Sequence, residues 1–512
     1  MNCVIDAAEY FFHQGTNYRA YEYMGSHVTK NGERVFRVWA KNAVSVSLVG
    51  DFCTWDDGVP MTKVTDGGVW ECTLSADCVK VGQKYKYKIR TADGKRLYKS
   101  DPYCACAETP PNGASVIYDG DRYTWRDAGW MSYRRSKSGR LAQEPISIYR
   151  LSVTEWTREI KSWSWLAAEL APYVKQMGYT HIELTNVDQK AFVYAVRSDM
   201  GAPDDFKAFV DSMHEAGVGV IIDRYMTYSS FEDYGLYNFD GQPLYECPDG
   251  SGRYELSSRE VESFLISNAR YWLDVYHVDG LRFCGIEPEL NMEELGFFRK
   301  LEAHVKADFP DVLALFEKTA TDGKFGILTS PVFYGDMARY RAEYGYFMTV
   351  SGKKITQMGA EIASNQGSPD WSLLGLEAHA KFQRYSACLG QTYLQNPALW
   401  QNEKIEEAPC KYEESIMSFE RLDSCGEAVM ILINLTPVAY ENYRVGVPCK
   451  GAYREILNSD DGSFGGGGYV NDAEIKSQSR PWRGCENSIV MRIAPMSISV
   501  LKCVGTTITI GK

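Results

Sequence analysis

What the 512-residue chain lacks closes off several classes of function. Its 14 Cys are scattered with no CxxC pair, Cys104 and Cys106 being the only close two. That spacing disfavours zinc and thiol-redox motifs and leaves the thiols as small hydrophobes in a reducing compartment. No basic block occurs in a chain of formal net charge −12, so the clustered Lys and Arg that neutralise phosphates are missing and nucleic acid is not expected as a partner. No apolar run approaches the roughly 18 residues of a membrane helix. The start, MNCVIDAAEYFF, lacks the basic and apolar segments of a signal peptide, so a soluble, cytoplasmic protein without a membrane partner is expected. The run Gly465–Gly468 lacks the GK[ST] of a phosphate-cradling loop. Nothing points to a metal or an organic cofactor, and none is expected.

Aromatics, by contrast, are plentiful: 34 Tyr, 12 Trp and 21 Phe. Stacked on sugar rings such faces bind carbohydrate, although most aromatic side chains pack in cores. The pattern along the chain changes twice. From about Arg34 to Tyr118 short alternating strands (VFRVWA, SVSLVG, VWECTL, YKYKIR) are separated by Gly, Asp and Asn turns, which predicts a β-sandwich. From Ile146 apolar strands alternate with helices, in SIYRLSV, HIEL, GVGVIID, VDGLRF and DVLALF, over a length that suits a (β/α) barrel. After about Lys411 strands return alone, predicting a second sandwich. The expected fold is therefore multidomain. Residues 1–30 form an N-terminal extension, 31–120 a carbohydrate-binding β-sandwich, 121–145 a charged linker (YRRSKSGR), 146–410 a (β/α) TIM-like barrel and 411–512 a C-terminal all-β sandwich.

Several stretches carry a more specific likeness: FFHQGTNYRAYEYMGSH (Phe11–His27), FRVWAKNA (Phe36–Ala43), GDFCTWD (Gly50–Asp56), KSDPYC (Lys99–Cys104), YVKQMGYTHIEL (Tyr173–Leu184), VDGLR, NLTPV (Asn434–Val438), RVGVP (Arg444–Pro448) and EILNSD (Glu455–Asp460). Together they resemble the bacterial glycogen branching enzymes, members of glycoside hydrolase family 13 with an N-terminal family 48 carbohydrate-binding module, nearly from end to end. The resemblance implies retaining α-glucan chemistry, with a carboxylate nucleophile and a carboxylic acid about 5–5.5 Å apart, both at the C-terminal ends of barrel strands.

Each position the resemblance implies can be read off. The first motif places an Asp at the end of the third strand and a His five residues on; DRYMTY keeps Asp223 and has Tyr228 in the His position. Asp223 also reads as a buried strand-end carboxylate paired to the next strand's Arg. In the second motif, DGLRxD, Arg282 is kept and Cys284 stands where the nucleophilic Asp belongs. A thiolate can attack, but a buried, inert replacement is the simpler reading. In the third, LALFEKTA puts Glu317 at the acid/base position, or leaves it an ordinary strand-end Glu. The fourth motif, HDE, is absent. Between Glu317 and KKITQMG (Lys353–Gly359) there is room for one strand–helix unit where a full barrel requires two, so the barrel reads as contracted to seven strands. Tyr194 matches a family Tyr at the substrate floor. Of the module's aromatics, Trp39 and Trp70 lie inside strands and read as core, whereas Trp55, in a turn, is the best candidate to stack on glucan.

Three departures, the substituted nucleophile, the missing His and the missing HDE, all fall at the site and lead to the expected function: a homologue of the branching enzymes, a pseudoenzyme, that binds α-glucan, or glycogen, or an active enzyme of glycogen metabolism. The alternative is an active 1,4-α-glucan branching enzyme in which Glu287 or Glu289 replaces the nucleophile. A protein–protein adaptor with no glucan affinity is the third class.

Overall fold

The computed structural model describes residues 7–189, 191–227, 230–285, 292–316, 327–365, 368–401 and 416–504. In the N-terminal module, Gly25–Val28, Arg34–Trp39, Val69–Leu74 and Thr62–Lys63 make one antiparallel sheet, and Val59–Pro60, Ser45–Gly50, Lys84–Arg90 and Arg96–Lys99 make the other. Strict alternation sets the faces. In KYKYKIR, Tyr85, Tyr87 and Ile89 are buried between the sheets while the lysines face outward. Buried tyrosines need a partner for the hydroxyl, and Asp101 Oδ2 accepts from both, at 2.7 Å (Tyr85) and 3.2 Å (Tyr87). The first strand begins at Gly25, so the sheet draws in residues read as a terminal extension.

The centre is a parallel sheet built from β1 (Ser147–Ser152), β2 (His181–Thr185), β3 (Gly219–Tyr225), β4 (Gly280–Cys284), β5 (Leu313–Phe316), β6 (Ile327–Thr329) and β7 (Lys353–Gln357). Helices α1 (Trp163–Met177), α2 (Pro203–Glu215), α3 (Arg259–Tyr276), α4 (Met292–Asp308) and α5 (Met337–Thr349) cross between strands, and α6 (Glu377–Gln395) follows the last. The seven strands run β5-β4-β3-β2-β1-β7-β6. Among the described residues no ladder joins β5 to β6, and a single helix, α5, lies between β6 and β7, in agreement with a barrel short of one strand–helix unit. Each α1 feature has a local cause. Ser162 caps its start by accepting from Trp165 N at 3.2 Å. Gly178 ends it at φ +78°, where a Cβ would stand 2.5 Å from the Gly390 carbonyl carbon of α6, so both the backbone conformation and the helix contact require glycine.

In the C-terminal sandwich the run AVMILIN (Ala428–Asn434) is buried along its whole length. One face, Met430 and Leu432, packs on Val445, Ile489 and Met491, and the other, Val429, Ile431 and Ile433, on the aromatic faces of α5 and α6. Burial on both faces explains an apolar run without alternation.

The stretch 121–145, expected as a linker, holds the helix Ala128–Ser136, which is pinned to the floor of the sheet. Arg134 is buried; its Nε donates to Asp311 Oδ2 at 2.9 Å and its Nη1 to Asp279 Oδ1 at 3.1 Å. Asp279 also accepts from His214 Nε2 (2.9 Å), Trp130 Nε1 (2.7 Å) and the Val220 backbone N–H (2.7 Å), while His214 Nδ1 reaches Asp127 Oδ2 at 3.0 Å. Burial works against a charge on His214, but Asp279 and Asp127 outweigh it and raise its pKa from 6.5 to about 9. A folded-state pKa above the unfolded one stabilises the fold fully below pH 6.5 and ceases to do so as pH rises through about 9. Thermal unfolding followed from pH 6 to 10 is expected to show a Tm falling across that window, and the fall is expected to flatten in His214→Gln.

Candidate functional site

The C-terminal ends of the strands are where a barrel presents chemistry, and here four charged side chains from adjacent strands converge: Arg150 (β1), Glu183 (β2), Asp223 (β3) and Arg282 (β4). Register makes Arg150 the neighbour of Glu183 and Asp223 the neighbour of Arg282. Arg150 bridges the two carboxylates, its Nε 2.8 Å from Glu183 Oε1 and its Nη2 donating to Asp223 Oδ2 at 2.9 Å. Arg282 Nε lies 3.5 Å from Glu183 Oε1. The ion pair expected between Asp223 and the next strand's Arg is therefore not the one formed: Arg150, from two strands away, takes Asp223, and Arg282 turns to Glu183. A planar guanidinium can serve two carboxylates at once, which is why one Arg settles both.

The carboxyls pay for their position. Burial raises Glu183 from 4.5 to about 8, the nearby Asp223 charge adding to the shift while Arg282 and Arg150 oppose it. Burial likewise raises Asp223, with Arg150 the strongest opposing influence. The two carboxyls titrate as a pair, burial pushing both upward and the guanidiniums opposing it.

Cys284 ends β4 beside this cluster. It is buried, within electrostatic reach of the Arg150 guanidinium, and its thiol donates to the Arg282 carbonyl at 3.8 Å. Sequence reasoning singled out Asp223, Arg282 and Cys284, and the structure brings them together. It missed Arg150 and Glu183. The signal was the two charged residues at matching positions inside apolar strands, SIYRLSV and HIEL, which a buried strand tolerates only when paired. Glu317 and Tyr228, and the alternatives Glu287 and Glu289, lie outside the described residues.

The two residues expected to bind glucan sit elsewhere. Tyr194 is 0% exposed, donates its hydroxyl to Phe264 O at 2.8 Å and packs on Tyr103, Phe264 and Tyr271, so it presents no face to a sugar in this conformation. Trp55 is 37% exposed on the N-terminal module, its Nε1 donating to Asp51 Oδ1 at 3.3 Å, while Trp39 and Trp70 are buried.

Residues 23–104 match carbohydrate-binding module 48 (isoamylase N-terminal domain), and residues 410–504 match the α-amylase C-terminal all-β domain. The 1,4-alpha-glucan branching enzyme GlgB of Oceanobacillus iheyensis is 31% identical over 96% of this chain and 97% of its own. That of Aquifex aeolicus is 32% identical over 98% and 99%. The first alignment runs over 621 positions, more than the 512 residues of this chain, so the relative carries internal segments that this chain lacks. Among solved structures, a putative alpha amylase from Salmonella typhimurium superposes with a TM-score of 0.69 at 15% identity, covering 94% of this chain and 99% of its own. Pullulanase from Anoxybacillus sp. LM18-11, complexed with maltotetraose, gives 0.71 at 13%, covering 94% and 87%. These two share the fold.

Proposed function

The chain belongs to the 1,4-α-glucan branching enzyme family, and from that premise we propose that it binds α-glucan in the cytoplasm without branching it, either by itself or beside an active enzyme of glycogen metabolism. One observation carries the reading. At the strand ends where the family's chemistry is expected, Arg150 fills the space between Glu183 and Asp223, and the nucleophile position is a buried thiol, Cys284. A retaining mechanism needs a free carboxylate at that position to attack the anomeric carbon. Both described carboxylates are instead committed to guanidinium groups and raised in pKa, which suppresses the charge an attacking group must carry. Binding has no such requirement, and the family 48 module retains an exposed indole.

The test is an amylose branching assay, following the fall in iodine absorbance and the appearance of α-1,6 linkages, run beside a glucan pull-down. Retention on glucan without new linkages is the expected result. New linkages, lost in Glu317→Gln, would reverse the conclusion and restore the active-enzyme reading. Trp55→Ala is expected to weaken glucan affinity about three- to tenfold, the worth of one stacked aromatic face, in affinity electrophoresis through amylopectin. Unchanged migration would move the binding surface away from Trp55.

A further inference from the structure

Arg341, in α5, is a buried cation that the fold leaves without an anion. It is 7% exposed, and among the described residues it forms no ion pair. Its Nε is shut off from solvent and has no hydrogen-bond acceptor. Its Nη1 reaches Gly465, in the glycine-rich loop of the C-terminal sandwich: a Cβ built there would lie 3.6 Å from Nη1 and 3.6 Å from Lys381 Cδ of α6. We propose that a phosphate group, free or as the monoester of a small molecule, binds between Arg341 and Lys381 over Gly465.

A guanidinium enclosed without an acceptor is costly, and native structures seldom leave one so. Burial lowers the pKa of Arg341, and Tyr385, Asp460 and Asp336 oppose that without a direct bond. Each of the three is engaged elsewhere. Asp460 accepts at Oδ1 from Gly467 N (2.9 Å) and at Oδ2 from Tyr469 N (3.0 Å). Asp336 Oδ1 caps α5, accepting from Ala338 N (3.0 Å) and Arg339 N (3.1 Å). The Tyr385 hydroxyl donates to the Arg341 carbonyl at 2.9 Å. Asp461, on the same loop, turns its Oδ1 to Ser463 N at 2.7 Å. Lys381 is paired with Glu377 at 2.8 Å on the exposed first turns of α6, a surface pair that gives way readily to a stronger partner.

The backbone of the loop does not cradle the ion. The N–H groups of Gly465, Gly466 and Gly468 go to the carbonyls of Gly462 (3.2 Å), Asp461 (3.0 Å) and Asp460 (2.7 Å), and that of Gly467 to the Asp460 side chain, so the two cationic side chains must hold it. Their difference in shape selects the class. The guanidinium fork offers donors in fixed directions, and the ammonium adds a compact point charge. A tetrahedral dianion meets both and keeps an oxygen for water. A carboxylate taken bidentately by Arg341 would leave Lys381 unmet, and chloride would use none of the fork's direction. Gly465 is exposed, so the ion has an entry on that side and an ester carbon would face solvent. Its φ of +87° favours glycine, and the missing side chain keeps the space between the two cations open.

Phosphorus NMR and thermal unfolding of the full-length protein, with ionic strength held constant by chloride, test this with inorganic phosphate and methyl phosphate as probes. Saturable broadening of the phosphorus resonance and a Tm that rises with phosphate concentration are expected. Lys381→Met is expected to weaken binding about tenfold, the worth of one charge-assisted hydrogen bond, and Arg341→Met to abolish it. The stability of Arg341→Met separates a ligand site from a structural arginine. Without phosphate, removing a buried cation that has no partner is expected to leave Tm unchanged or higher, and the order is expected to reverse as phosphate saturates the unsubstituted protein. Methyl phosphate binding as tightly as inorganic phosphate would assign the site to a monoester, and methyl phosphate without effect would assign it to the free ion. No saturable phosphate effect, the same effect in Arg341→Met, or an Arg341→Met that is less stable or fails to fold without phosphate would each overturn the proposal.

Discussion

Arg134→Met is expected to lower the stability of the central domain by about 3–5 kcal/mol, the cost of removing one partner from an enclosed ion pair. The guanidinium is buried and gives hydrogen bonds to four acceptors: Asp279, Asp311 and the carbonyls of His277 (3.3 Å) and Val278 (3.1 Å). Methionine fills much of the same volume but leaves Asp311 without its cation and Asp279 with His214 alone. Burial alone would raise Asp279; His214 and Arg134 hold it well below the ordinary carboxylate range, which shows how much of its charge is supported by those two neighbours. Urea unfolding followed by the signal of the parallel sheet measures the effect. Arg134→Lys is expected to lose an intermediate amount, because one ammonium cannot span two carboxylates and two carbonyls in the fixed directions a guanidinium offers. A loss below about 1 kcal/mol, the range of exposed pairs, would mean that Asp279 and Asp311 reach water and that the helix Ala128–Ser136 is only laid against the floor.

That helix also shows what the sequence could not reveal. YRRSKSGR reads as a solvated linker because its charges are local, whereas the partners that bury Arg134, Asp279 and Asp311, lie 145 and 177 residues away along the chain. The period of the apolar residues, in contrast, is a local signal. It was enough to place the two sandwiches, the strand–helix alternation and, among the described residues, the single strand–helix unit between β5 and β7. The cluster at the strand ends falls between these cases. Cys284 and Arg282 were legible because a motif supplied their positions. Arg150 and Glu183 belong to no quoted motif, and only the closure of β1 beside β2, with β3 next to it, shows that one guanidinium reaches two carboxylates. The exposure of Trp55 was legible from its turn, and the buried place of Tyr194 was not, because a tyrosine inside an apolar strand suits a core and a sugar-binding floor equally well.

Arg150→Met carries the other large effect. A loss of about 2–4 kcal/mol is expected, less than for a fully enclosed pair because Arg150 keeps about a fifth of its side chain exposed. The pH dependence separates this cluster from the floor. Glu183 has a folded-state pKa of about 8 against 4.5 when exposed, so between those values the folded chain holds a proton that the unfolded chain has released. Stability then declines as pH rises from about 4.5 to 8, and the cost of the buried charge is complete above that. Glu183→Gln is expected to gain on the unsubstituted protein progressively across this range, in parallel urea titrations at pH 5, 7 and 9; an advantage independent of pH would mean that Glu183 is ionised throughout. Removing Arg150 takes away a cation that opposes the upward shift, so the decline is expected to steepen in Arg150→Met. The same charge count bears on Cys284. As the nucleophile, the Asp of the family motif would be held by the Arg two residues before it, and in this chain that Arg, Arg282, lies against Glu183. Cys284→Asp therefore adds a third carboxyl to a cluster with two guanidiniums, and the new group can ionise only by taking Arg282 from Glu183. The substitution is expected to destabilise the fold at pH 8 more than at pH 5, and to restore no branching while Arg150 still occupies the space between the carboxylates.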